Sequence, residues 1–241
     1  MFLRGLLVAV SLAGAASVAA GGELKLHPRA VLELFTSQGC SSCPAADALL
    51  RDLARDPDIV ALAYHVDYWD YIGWPDTFGS KEHSDRQRDY AAAWGSSRIF
   101  TPQLIVNGRE GVVASRKSEV GGAVAKAALE LPVTLTRGEE MLEISIPPDA
   151  ALPAGVVWLV SFLDHADVTI DRGENQGKTI AYSQIVTGRQ VLGMWEPGTG
   201  AHLKLPLAEV LKPPANGAAI LVQQEADGLP GRILGAASFT H

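Results

Sequence analysis

Between Val31 and Leu131 the apolar positions alternate between strand-length runs and helix-period stripes. The run VLELF from Val31 predicts a strand, the polar loop TSQG follows, and Cys40-Ser41-Ser42-Cys43-Pro44 opens a helix striped by Ala46, Leu49, Leu50 and Leu53. Asp56-Pro57-Asp58 breaks that helix, and IVALAYHV from Ile59 is apolar and β-branched enough for a buried parallel strand. Ser84, with Gln87 one turn on, reads as a capping box for a second helix, on which Tyr90 and Trp94 stack before Gly95. Thr101-Pro102 leads into QLIV, Asn107-Gly108 joins QLIV to GVVAS as a hairpin, and Ser118 begins a last helix carrying Val120, Val124, Ala127 and Leu131 on one face. The predicted order is β-α-β-α-β-β-α.

From Pro132 the period shortens to alternating strands: VTLTR, MLEISIP, GVVWLVSFLD, TIAYSQIV, RQVLG, HLKLPL, AAILVQQ and ILGAASFT, divided by Gly, Pro and Asp turns. No helix-length stripe interrupts them, so residues 132–241 predict a small antiparallel β-sandwich of immunoglobulin-like size. Two domains are expected, 29–131 and 132–241, with no internal repeat.

The opening residues change the expected compartment. Arg4 precedes an apolar stretch from Leu6 through Val18, and Ser17, Ala19 and Ala20 supply the small residues of a cleavage site, so residues 1–20 read as a secretory signal peptide. The stretch is shorter than the roughly 20 apolar residues of a spanning helix, and no later segment reaches that length. The mature chain is expected outside the cytosol, secreted into an oxidising, periplasmic setting, without stable membrane insertion. A 47% hydrophobic content with 20% charged residues excludes disorder, and a net charge of -7 without a basic run argues against nucleic acid as a partner.

The candidate chemistry lies in the two cysteines, Cys40 and Cys43. A Cys-x-x-Cys at a strand-to-helix junction puts the first sulfur where unpaired amides and the helix dipole favour a thiolate. Cys40 is therefore the candidate nucleophile and Cys43 the candidate resolving thiol, with Ser41 and Ser42 able to donate hydrogen bonds to sulfur. Two other readings stand beside this one. A structural disulfide would close so short a loop that its entropic stabilisation is small. Zinc wants four ligands, so no metal is assigned; a two-coordinate copper(I) site would find His65 or His83 as its nearest extra donors in sequence.

The element order, with CxxC after the first strand and Thr-Pro before the third, resembles the thioredoxin fold across residues 29–131. The segments LELFTSQGCSSCP, HVDYWDYIGW, RQRDYA, TPQLIVNG and RGENQG together resemble a narrower group, secreted bacterial thioredoxin-like proteins known only as a domain of unknown function. The wider resemblance implies a cis-proline at Pro102, after Thr101, whose backbone meets a bound peptide. It also implies a buried carboxylate near Cys43, for which Glu33 is a candidate one residue out of register; the alternative for Glu33 is an ordinary solvent-facing or edge residue. Ser-Ser between the cysteines departs from the dipeptides frequent in thioredoxins, so the direction of electron flow is not carried over.

Strand polarity should gather the sheet's carboxyl ends, with Cys40, the segment from His65 to Asp70, and Pro102, at one edge. Tyr68, Trp69 and Trp74 either bind a partner beside the dithiol or pack as a lid; His65 is either a hydrogen-bonded strand residue or a base. Asp171-Arg172-Gly173-Glu174-Asn175 is either a solvated turn or a contact to the first domain or to a partner. The expected function is a secreted thiol-disulfide oxidoreductase acting on protein or peptide thiols without an external cofactor. The alternatives are a non-enzymatic binding protein with an inert disulfide and a copper(I)-handling protein.

Overall fold

The computed structural model describes residues 23–241; the predicted signal peptide, residues 1–20, lies outside them. In chain order the elements are β1 (Leu24–Leu26), β2 (Ala30–Thr36), α1 (Cys43–Leu53), β3 (Ile59–His65), α2 (Lys81–Ala93), β4 (Gln103–Val106), β5 (Glu110–Val113), α3 (Lys117–Lys126), β6 (Thr134–Arg137) and β7 (Met141–Ile146). They continue with β8 (Gly155–Thr169), β9 (Thr179–Trp195), β10 (Ala201–Pro206), a single turn α4 (Leu207–Val210), β11 (Gly217–Ala226) and β12 (Leu229–Thr240). The chain is thus a mixed α/β protein with few helices. Among the described residues no helix is long and apolar enough to cross a membrane.

Nine strands form one sheet in the order β1-β12-β11-β8-β9-β3-β2-β4-β5, more than the four predicted from residues 29–131. Within it β2 pairs parallel with β3 and antiparallel with β4, and β4 pairs antiparallel with β5. The expected free-standing sandwich is replaced by a shared sheet: β9 lies parallel to β3 through Ala63 and Ile185, so strands from residues 132–241 extend the sheet begun by β2 to β5. The physical reason lies in β3, all seven residues of which are buried. An unpaired edge that apolar is a template for aggregation, and β9 covers it. A three-stranded sheet, β10-β7-β6, supplies the second layer of the expected sandwich, with Leu142, Ile144 and Ile146 packed on Ile220, Val222 and Leu234 of the large sheet.

Alternation along β2 sends Leu32 and Leu34 to the face covered by α1 and α3, and Val31 and Phe35 to the face covered by α2. Two local expectations shift. The cap of α2 is Ser80, whose hydroxyl accepts the His83 amide at 3.2 Å, not Ser84, which is buried within the helix and donates to Asp67. The runs TIAYSQIV and RQVLG are one strand, β9, bent where its pairing with β8 shifts register at Ser161/Phe162.

Candidate functional site

Cys40 and Cys43 are joined in a disulfide, with Cα atoms 5.4 Å apart, between the end of β2 and the start of α1. Cys43 is the first residue of α1 and Pro44 occupies its first turn, where a missing N–H leaves no helical bond unmade. The Ser42 hydroxyl lies 3.5 Å from Cys40 Sγ, as expected for a donor to sulfur, whereas Ser41 uses its backbone amide to donate to Glu174 Oε2 at 3.2 Å. Both cysteines are closed off: Cys40 is 2% exposed and Cys43 fully buried.

Three chain segments converge on this pair. The aromatic loop after β3 lays Trp69 against Gly39, where an added Cβ would sit 3.2 Å from Trp69 Cβ, and the Trp69 indole N–H donates to Thr101 Oγ1 at 2.7 Å. That bond ties the aromatic loop to the Thr101–Pro102 segment, whose peptide is cis and which leads into β4. Trp74 donates its indole N–H to Gln38 Oε1 at 2.8 Å, and Tyr68 donates its hydroxyl to Gln87. All three expected aromatic residues are half-buried, with their polar atoms engaged inside the molecule. Tyr71 at the tip of the same loop is 83% exposed.

The third segment is the tip of the β8–β9 hairpin, the polar stretch around RGENQG. Asn175 is fully buried and donates both amide hydrogens, to Gln38 O and to Cys40 O, each at 2.9 Å; its own oxygen accepts from Lys178 Nζ at 2.8 Å. Of the two readings of residues 171–175, the contact with the first half of the chain is the one observed. Sequence reasoning named Asn175 only as the last residue of the polar segment 171–175 and did not single out Gln38; the signals were the density of polar residues in RGENQG and that segment's place in the family resemblance.

Glu33 is not brought to the dithiol. It faces α2, where Oε1 accepts from Arg86 Nε at 2.9 Å and Nη2 at 2.6 Å, and Oε2 accepts from the Tyr90 hydroxyl. The Arg86 guanidinium also lies over the Tyr90 and Tyr64 rings at 4.9 and 5.5 Å. Parity explains the displacement, because Leu32 and Leu34 take the α1 face and leave Glu33 the other.

The buried carboxylate on the cysteine face is Asp47, one helical turn after Cys43 on the buried side of α1. Burial pushes its pKa up to about 7, against the positive fields of His65 and Arg51. His65 is a strand residue with a satisfied Nδ1, 2.8 Å from Asp76 Oδ2. Burial works against a charged imidazole, but the Asp76 carboxylate outweighs it and raises the His65 pKa. Asp76 in turn accepts the Gln38 and Phe78 amides at 2.8 and 2.9 Å; these bonds and His65 hold its pKa low in spite of burial. His83 places Nδ1 2.9 Å from the His65 carbonyl. Neither histidine named as a copper donor is directed by these contacts to the cysteines.

Fold and site together define a mixed α/β protein on one large, mostly stranded sheet, with a buried Cys-x-x-Cys disulfide where two loops and a hairpin tip meet. Residues 31–223 match the family described as protein of unknown function (DUF1223), and the chain belongs to that family. The X-ray crystal structure of a protein from Agrobacterium tumefaciens is similar, with 35% sequence identity, a TM-score of 0.79, and coverage of 89% of this chain and 95% of that one. No curated protein matches.

Proposed function

We propose that the protein is a secreted thiol-disulfide oxidoreductase that acts on protein or peptide thiols through Cys40 and Cys43. The observation that carries this reading is the Cys40–Cys43 disulfide at the junction of β2 and α1, linked through Trp69 to the Thr101–Pro102 segment that leads into β4. The order β3-β2-β4-β5, with β2 and β3 parallel and the other pairs antiparallel, resembles a thioredoxin fold embedded in a wider sheet. The leader-like residues 1–20 support an oxidising compartment.

The exchange is balanced without a cofactor. A substrate thiolate attacks Cys40 Sγ, the Cys40–Cys43 bond breaks, and Cys43 leaves as a thiolate that takes up a proton. A second substrate thiolate attacks its own sulfur in the mixed disulfide and releases Cys40, so the substrate leaves oxidised and the pair reduced. The reverse sequence reduces a substrate disulfide. In this reading Thr101 and Pro102 meet the incoming substrate chain, and Trp69 braces them through its bond to Thr101.

The test is the reduction potential of the pair, read by equilibration in defined glutathione buffers and alkylation of free thiols. A value between about -120 and -270 mV, with exchange abolished in Cys40→Ser, supports the reading and assigns the direction of flow; a value below about -300 mV without exchange overturns it. The burial of Cys40 favours one second reading, a binding protein with an inert disulfide. In that case Cys40→Ser leaves partner binding intact and Trp69→Ala impairs it.

A further inference from the structure

Exchange at Cys40 needs an attacking sulfur in line with the Cys40–Cys43 bond, yet Cys40 Sγ belongs to a residue only 2% exposed. Something over it has to move. The aromatic loop is a poor candidate, because Asp76 fastens it through His65 and the Gln38 and Phe78 amides, and Trp69 and Trp74 each add a bond from their indole N–H. The hairpin tip is held differently. Between the buried Ile170 and Ile180, Asn175 is the single buried residue, and the stretch carries no buried apolar side chain.

Its remaining holds on the site are slight. Glu174 accepts the Ser41 amide at the surface, and Gly173, at φ 81°, lies against Trp74, where a Cβ would come within 3.3 Å. Beside these, two neutral hydrogen bonds from the buried Asn175 to Gln38 O and Cys40 O fix the tip to the cysteine loop, and water replaces such bonds at small net loss. Below the tip the hairpin is anchored by Ile170, Ile180, Tyr182 and Ile185 against Trp74 and Phe78, so an opening is confined to residues 171–179.

We propose that Asn175 is a positioning and specificity-determining residue: it latches the β8–β9 tip over Cys40, and release of the tip sets which thiols reach the sulfur. The proposal rests on the exchange reading and specifies how that site is regulated. A small thiol reaches Cys40 after a slight displacement of the tip. A folded protein thiol requires the tip to leave altogether, so its rate follows the population of the open form.

The test compares two reductants on the full-length mature protein in its oxidised form. Dithiothreitol is the small probe; its thiolate attacks Cys40, and its second thiol then closes the ring disulfide and leaves Cys40 and Cys43 reduced. A reduced folded thioredoxin is the bulky probe and follows the same two steps. Asn175→Ala raises the rate with the bulky probe by about tenfold or more and the rate with dithiothreitol by much less, so that the ratio of the two changes. Glu174→Ala, at an exposed position that cannot threaten folding, shifts the ratio in the same direction by a smaller factor. An unchanged ratio in both variants overturns the latch, and so does an equal rise with both probes, because global unfolding exposes the sulfur to either one. The exchange reading fails separately, if the released variants react with dithiothreitol while no variant exchanges with a protein dithiol.

Discussion

Glu33 and Asp47 are both buried carboxylates, and their surroundings send them opposite ways. Glu33 is compensated by Arg86 and Tyr90, so Glu33→Gln strands a buried guanidinium and should lower stability by about 3–5 kcal/mol in urea unfolding while leaving the potential of the cysteine pair unchanged. Asp47 has a pKa pushed up to about 7 in the folded chain, above the ordinary 3.8. Between those values the folded state holds a proton that the unfolded state has released, so this group's contribution to stability declines as pH rises from about 4 to about 7. Asp47→Asn removes that dependence. Its stability gain should be absent below about pH 4 and greatest above about pH 7, with roughly 4 kcal/mol as an upper bound. Unfolding curves at pH 4 and pH 8 check this: a gain that does not grow with pH sinks it. Alternation in LELF already placed Glu33 opposite Leu32 and Leu34, and with that parity applied the expectation of Glu33 as the buried carboxylate near Cys43 would have been dropped. What one sequence did not show was the distant partner, Arg86, or that Asp47 would be the buried carboxyl on the cysteine face.

At the scale of elements, the strands and helices were largely legible, because both periods are clean and each break is marked by Gly, Pro or Asp. The cysteine loop, the aromatic loop and the Thr101-Pro102 segment were expected at one edge of the sheet, and Trp69 does link all three. On the exchange reading, Trp69→Phe, which removes the indole donor to Thr101, should slow exchange several-fold with less than about 1.5 kcal/mol lost in stability, measured by turnover and thermal unfolding side by side. The β4–β5 hairpin was read from Asn107-Gly108, which sit at φ 50° and 66°. The sequence hid the tightness of that turn, since a Cβ on Gly108 would fall 2.4 Å from the Gly231 carbonyl oxygen on β12. Gly108→Ala is expected to cost about 2 kcal/mol or more, visible as a lowered Tm. The start of α2 was misplaced by a local pattern that tertiary contacts override: Ser84 matches a capping box, but its hydroxyl is spent on Asp67 while Ser80 caps.

The whole molecule was the least legible level, because pairing between β3 and β9 joins residues more than a hundred positions apart and leaves no mark in either segment. The change of period at Pro132 is real, yet it separates two manners of building one sheet. A chain ended at residue 131 would lose β9 from the edge of β3, Gln223 from Arg86 and Asn175 from Cys40. Such a fragment is expected to show no cooperative unfolding transition and to aggregate, by circular dichroism and light scattering. The hold of Asn175 on the cysteine loop also sets an order of events during synthesis. On the latch proposal, Cys40 and Cys43 precede their cover by some 130 residues along the chain, so a nascent pair would present its sulfurs to an oxidant before the tip exists to close over them. Access to the sulfurs would then obey one rule while the disulfide forms and another once the chain has folded.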